Sequence, residues 1–218
     1  MSAESPPPST QGMHARKEPI VYVIDDDEAM RLAVRDLLRS VGLRVEIFES
    51  SLDFLAFPKP DTPSCLVLDI RLRGESGLTF QEQIAKSNLR MPIVFMTGHG
   101  DIAMTVKAMK AGAVDFLAKP FRDQDMLDAV ANALTRDGER LAAEQTNATL
   151  LAAYQSLTPR EREVMAFVVA GMMNKQIASE MNVSEITVKI HRGQVMRKMC
   201  ARSVAALVKM SESLGIGN

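Results

Sequence analysis

CLVLD, Cys65 to Asp69, is an apolar run that ends on a single carboxylate, and three other runs end in a related way. VYVI (Val21 to Ile24) leads into Asp25, Asp26 and Asp27, PIVFM (Pro92 to Met96) into Thr97, and VDFLA (Val114 to Ala118) into Lys119 and Pro120. A fifth apolar segment, Val45 to Phe48, lies between the first two. Short apolar runs bounded by turn residues are the pattern of strands covered on both faces. In a parallel sheet the strand C-termini share one edge, so Asp25, Asp26, Asp69, Thr97 and Lys119 would converge from distant parts of the chain.

The segments between the runs carry helical periodicity. Met30, Val34, Leu37, Leu38 and Val41 follow the first, with Gly42 as a stop, and Leu52, Leu55 and Phe57 follow the second, stopped at Pro58. A glycine-containing loop, Gly74 to Gly77, precedes a helix with Leu78, Phe80 and Ile84. Asp101 reads as the N-cap of a helix with Met104, Val106 and Met109, and a last helix starts near Asp123. This βα alternation predicts a doubly wound α/β domain over residues 19–135. Residues 1–18, rich in Pro, Ser and Gly with no apolar stretch, read as a disordered tail rather than a signal peptide. Residues 136–155, polar and Ala-rich, prolong the last helix as a linker.

Residues 156–218 read as a second, all-α domain. Thr158-Pro159-Arg160-Glu161 is a capping box with proline at the first helical position. Asn174 reads as the cap of a second helix and Ser184 as the cap of a third, and a fourth runs from Ser203. On the third, Val188, His191, Val195 and Met199 share one side at 100° per residue, while Ile186, Ile190, Gly193 and Arg197 share the other, flanked by Lys189 and Gln194. Lys189, Arg192, Arg197 and Lys198 make this helix basic enough for phosphate contacts, and Ile190 suits a thymine methyl. Gly193 in mid-helix costs about 1 kcal/mol relative to alanine. Close approach to a backbone would justify it, and so would drift. An αα-hairpin that merely packs remains open at this point.

A net charge of -1 conceals an asymmetry: Pro19 to Thr135 holds 13 Lys+Arg against 17 Asp+Glu, whereas Leu157 to Asn218 holds 9 against 5. Metal or phosphate chemistry suits the first part and a polyanion the second. The two cysteines, Cys65 and Cys200, sit in apolar segments without ligand spacing, which fits a reduced, cytoplasmic protein. No apolar run reaches membrane-spanning length. No Gly-x-Gly-x-x-Gly follows the first run, so a dinucleotide enzyme is disfavoured. Met172, Met173, Met196 and Met199 read as core filler, and His99 as loop surface.

An ionised aspartate attacks a phosphoryl group poorly because both are negative. A divalent cation that holds carboxylate and phosphoryl oxygens together removes this obstacle. Asp25 and Asp26 would supply ligands, Asp69 would be ligand and acceptor, Lys119 would offset charge, and Thr97 would donate its hydroxyl to a phosphoryl oxygen. The bland alternative for Asp25 to Asp27 is acidic residues favoured at a helix start. A lone Asp, Thr or Lys after a strand is usually structural, and the joint pattern at four strand ends argues for function.

Residues 20–135 resemble the receiver domain of two-component response regulators through VIDDDE (Val23 to Glu28), LVLDIRL (Leu66 to Leu72), FMTGHGD (Phe95 to Asp101) and AGAVDFLAKPF (Ala111 to Phe121). The resemblance implies a (βα)5 fold with a 2-1-3-4-5 parallel sheet, phosphorylation on Asp69, and Mg2+ held by Asp26, Asp69 and the Arg71 carbonyl, with Asp25 assisting through water. It further implies a switch pair, Thr97 and Phe116, and a cis Lys119–Pro120 peptide. Arg73 departs from the family, which commonly has proline there; the departure bears on loop stiffness and phosphate lifetime. Residues 156–211 resemble the LuxR-type helix-turn-helix through LTPREREVM (Leu157 to Met165), NKQIASEMNVSEITVKIHRGQVMRKM (Asn174 to Met199) and ARSVAALV (Ala201 to Val208). That resemblance implies a recognition helix from Ser184 in the major groove. Lys189, Ile190 and Gly193 would stand at base-reading positions, and Thr187 and Arg192 would suit phosphates; Gly193 lacks the long polar side chain common in relatives.

Together the two resemblances imply a FixJ/NarL-class transcriptional regulator rather than an enzyme. Its expected partners are a sensor histidine kinase, promoter DNA, a second copy of itself on phosphorylation, and RNA polymerase. Two alternatives are a phosphorylation-independent LuxR-type regulator and an aspartate-based, Mg2+-dependent phosphatase of the haloacid dehalogenase type. The latter places an acid two residues beyond its nucleophile, where this chain has Arg71.

Overall fold

The computed structural model describes residues 18–72, 75–87, 89–98 and 102–216. The tail expected over 1–18 lies outside them except for Glu18, as do Arg73, Gly74, His99 and the cap assigned to Asp101. Two compact units divide between Leu141 and Ala142.

The first unit alternates strand and helix: β1 (Ile20–Ile24), α1 (Glu28–Ser40), β2 (Arg44–Phe48), α2 (Ser51–Ala56), β3 (Ser64–Asp69), α3 (Gly77–Lys86), β4 (Ile93–Thr97), α4 (Ile102–Lys110), β5 (Asp115–Ala118) and the first part of α5 (Asp123–Gln155), whose residues from Ala142 belong to the second unit. A short antiparallel ladder, Arg71–Leu72 against Glu75–Ser76, follows β3. The sheet order is β2-β1-β3-β4-β5 with every pair parallel, the order the family resemblance implies. Every residue of β1, β3 and β4 is buried, because helices cover both faces. On one face Tyr22, Leu66, Leu68 and Phe95 pack with Phe54 of α2, Phe80 and Ile84 of α3 and Ala108 of α4. On the other Val21, Val23, Val67 and Met96 pack with Val34 and Leu38 of α1 and Met126, Val130 and Ala133 of α5. Each such side chain contributes roughly 1.5–3 kcal/mol by leaving water, so the central strands are fixed in register. Gly42 ends α1 at φ +82°, a left-handed conformation open to glycine.

At the opposite edge from the strand C-termini, the Asp137 side chain of α5 is 1% exposed. Its Oδ2 accepts the Ser64 amide of β3 at 2.8 Å, and its Oδ1 pairs with Arg140 at 2.9 Å. Helix α5 continues without a break to Gln155.

The second unit contains α6 (Pro159–Val169), α7 (Asn174–Met181), α8 (Glu185–Lys198) and α9 (Val204–Ser213). The Thr158–Glu161 capping box forms as expected, and Ser184 and Ser203 cap α8 and α9. Helix α7 differs: its N-cap is Met173, which makes no side-chain cap bond, while Asn174 is already helical and its side chain accepts from Arg192. Gln176 Oε1 closes this end by accepting the Met173 amide at 2.8 Å. Met199 is buried and Met172 and Met196 pack at the core margin, but Met173, placed at the helix entrance, is 68% exposed. Cys200 also departs from its expected apolar setting. It is exposed at φ +53°, just past the end of α8.

Candidate functional site

The register of the sheet decides what meets at its C-terminal edge. Asp69 is the last residue of β3 and pairs with Met96; Thr97 ends β4 opposite Ala118; Lys119 follows. Lys119 Nζ lies 2.6 Å from Asp25 Oδ2 and 3.4 Å from Asp69 Oδ2, joining two acids 44 positions apart in the chain. One carboxylate oxygen from each of Asp25, Asp26 and Asp69 falls within 4.8 Å of the others. The third acid of the triplet behaves as the bland reading expects: Asp27 caps α1, accepting the amides of Ala29 at 2.9 Å and Met30 at 3.4 Å. Asp25 Oδ1 accepts the Asp27 amide at 2.9 Å, so the Asp25 carboxylate is fixed from two sides.

Burial is the largest influence on the Asp69 carboxyl and pushes it above the ordinary aspartate range. Lys119 opposes that shift, Asp25 reinforces it, and the Arg71 amide, donating to the carboxylate, lowers it. The arrangement is therefore a buried carboxylate beside like charge. A cation among the three acids would relieve it, and an all-oxygen ligand set suits a hard divalent ion. Thr97 is buried, Phe116 is half-buried against the α2–α3–α4 side of the sheet, and the Lys119–Pro120 peptide is cis.

Two contributors had no clear sequence signal. Arg31 Nη1 donates to the Asp25 carbonyl at 2.6 Å, holding the turn that carries the acids. Gly77 opens α3 directly against the acceptor: a Cβ there would lie 2.5 Å from the Asp69 carbonyl oxygen. Only its place in a glycine-containing loop hinted at this.

On α8 the expected faces separate. Val188, Val195 and Met199 are buried, whereas Ile186 is 72% and Ile190 60% exposed. Lys189, Gly193 and Arg197 are exposed with them, and open space surrounds the position a Gly193 Cβ would take, so packing does not require the glycine. Thr187 is half-buried, its hydroxyl 2.9 Å from that of Ser184. Arg192 Nη1 donates to Asn174 Oδ1 at 2.8 Å. One basic residue drops out of the group suited to phosphates: Lys198 Nζ lies 2.6 Å from Glu161 Oε2 and donates to the Ser156 carbonyl at 3.2 Å. Lys198 holds Glu161 below the ordinary glutamate range, helped by the Thr158 amide.

Comparison with known proteins agrees with this geometry. The response regulator receiver domain model matches residues 21–131, and the model of bacterial regulatory proteins of the luxR family matches residues 155–211. Nodulation protein W of Bradyrhizobium diazoefficiens is 55% identical over 94% of this chain and 92% of its own length. Transcriptional regulatory protein FixJ of the same organism is 41% identical over 91% of this chain and 97% of its own. The solved response regulator StyR superposes with a TM-score of 0.83 at 47% identity, covering 90% of this chain and 99% of that one. Among the described residues no helix is long and apolar enough to cross a membrane. With an acidic, lysine-bridged strand edge in one unit and a basic exposed helix in the other, the chain belongs to the response regulators, those joining a receiver domain to a LuxR-type DNA-binding domain.

Proposed function

We propose that Asp69 accepts a phosphoryl group from a sensor histidine kinase and that its phosphorylation controls promoter binding through α8. The observation that carries this reading is Lys119, shared between Asp25 at 2.6 Å and Asp69 at 3.4 Å beside a cluster of three carboxylates. Asp25, Asp26, Asp69 and the Arg71 carbonyl would hold Mg2+, which when bound offsets the charge that otherwise repels a phosphoryl donor. Lys119 stabilises the charge added to Asp69, which rises from one negative charge to nearly two. Thr97 would donate its hydroxyl to that group, and Phe116 would follow it inward as the switch aromatic. Residues 19–135 would act as the receiver, 136–155 as a helical linker and 156–218 as the DNA-binding domain, in the cytoplasm.

On the DNA side, Lys189 and Ile190 would meet base edges, with Gly193 leaving room for approach, and Thr187, Arg192 and Arg197 would meet phosphates. Homodimerisation on phosphorylation would pair two such helices on one site, and RNA polymerase would be the downstream partner. The chain is read as a switch rather than a turnover enzyme. Incubation with radiolabelled acetyl phosphate tests the acceptor. Wild-type protein should take up label in Mg2+ and Asp69→Asn none; label that persists in the variant refutes the assignment.

A further inference from the structure

Four cations on α8 look equivalent in sequence: Lys189, Arg192, Arg197 and Lys198. Their partners sort three of them into two kinds. Lys198 is held by a carboxylate, Glu161, at 2.6 Å, so its charge is cancelled inside the domain. Arg192 and Arg197 are held by amides instead. Arg192 Nη1 donates to Asn174 Oδ1 at 2.8 Å, and Arg197 Nη2 donates to Gln194 Oε1. An amide oxygen accepts a guanidinium N–H with much the same geometry as a carboxylate but brings no charge. It restricts the arginine rotamer before a ligand arrives while leaving the full positive charge for a polyanion. Ordering a long side chain in advance removes part of the entropic cost of binding.

We infer that Asn174 and Gln194 are positioning residues for DNA, aiming Arg192 and Arg197 at phosphates without neutralising them, and that Lys198 makes no phosphate contact. The inference rests on the docking of α8 proposed above. Its rival is purely architectural: the Asn174–Arg192 bond would only tie α7 to α8, and a charged acceptor would serve at least as well.

Replacing the amides by their acids separates the two. Asn174→Asp and Gln194→Glu keep an acceptor of the same shape and cancel the arginine's charge. Both changes suit their helices, since an acid is favoured in the first turn of α7 and a Glu–Arg pair three residues apart supports α8. The assay is fluorescence anisotropy of the full-length protein, incubated with acetyl phosphate and Mg2+, on a short duplex of arbitrary sequence across a salt series, with thermal melts alongside. Each acid variant should bind roughly five- to tenfold more weakly at low salt, with a slope of log K against log salt shallower by about 0.9. Its melting temperature should be unchanged or higher. Asn174→Ala, which frees the arginine without cancelling it, should weaken binding less than Asn174→Asp. Lys198→Met should lower the melting temperature and leave the slope unchanged. Acid variants with wild-type affinity and slope would overturn the inference. A wild-type protein that fails to bind the duplex even at low salt would instead refute the docking of α8 itself.

Discussion

Gly77→Ala should damage the receiver from a position that carries no chemistry. The added Cβ would stand 2.5 Å from the Asp69 carbonyl oxygen, 3.0 Å from the Ile70 Cα and 3.3 Å from the Asp69 carbonyl carbon. All three are backbone atoms of the acceptor segment, so no side chain can swing aside. Restoring an ordinary contact of about 3.4 Å requires α3 and the end of β3 to part by about 0.9 Å. That motion stretches the Gly77 amide to Ile70 carbonyl hydrogen bond, now 2.8 Å. Overpacking of this kind costs about 1–3 kcal/mol, and weakening the bond adds about 1 kcal/mol. The helical preference of alanine over glycine returns up to about 1 kcal/mol. The net loss is therefore about 1–3 kcal/mol, read from the urea midpoint of the receiver at constant m-value. Acetyl phosphate labelling of Asp69 should slow as well, because the displaced backbone is the one that carries the carboxylate. A midpoint within about 0.3 kcal/mol of wild type, below the range expected of overpacking, with unchanged labelling would refute the steric reasoning.

Two further outcomes follow from the carboxylates. Because the folded state holds the Asp69 carboxyl above its unfolded range, the stability linked to its proton is fully present at pH below the unfolded value and lost as pH rises through the folded one. In EDTA, Asp69→Asn should therefore raise the receiver's melting temperature at neutral pH and change it little at acidic pH; equal melts at neutral pH would contradict this. Asp137→Ala strands the buried Ser64 amide and removes one partner of Arg140, and should cost about 2–4 kcal/mol in urea unfolding. A loss smaller than that of an ordinary surface substitution would show the carboxylate to be idle.

The fold was legible because a doubly covered parallel strand leaves little choice of residue: β1, β3 and β4 are apolar at nearly every position, and their ends name the edge. The acids of the edge were legible from their places at the strand ends, but the detail of their partners was not. Asp25, Asp26 and Asp27 are identical residues, and only the turn after β1 sends the first two toward Asp69 and the third to the amides of α1. Asp137 was invisible, since a carboxylate in a polar helix normally faces water and nothing local marks the Ser64 amide it meets 73 positions away. On α8 the 100° periodicity gave the buried and exposed faces, yet it could not tell Lys198 from Lys189. Periodicity describes one helix, whereas Glu161 arrives from another. Asn174 was misread for the same reason: a cap is a local preference, and the tertiary bond to Arg192 displaced it.

The same side chain thus does opposite work at the two ends of β3. At its start, the Asp137 carboxylate is met by an amide and a guanidinium, so its burial is compensated and the strand is anchored. At its end, Asp69 shares one ammonium with Asp25 at unequal distances, 3.4 Å against 2.6 Å, accepts the Arg71 amide, and is pushed above the ordinary aspartate range by burial. A fully compensated site would have little to gain from a new ligand, and a ligand moves an equilibrium only by what it stabilises in one state over another. On the function proposed above, the buried, crowded carboxyl of Asp69 is the one a bound cation would relieve, whereas the carboxylate at the other end of the strand already has its partners.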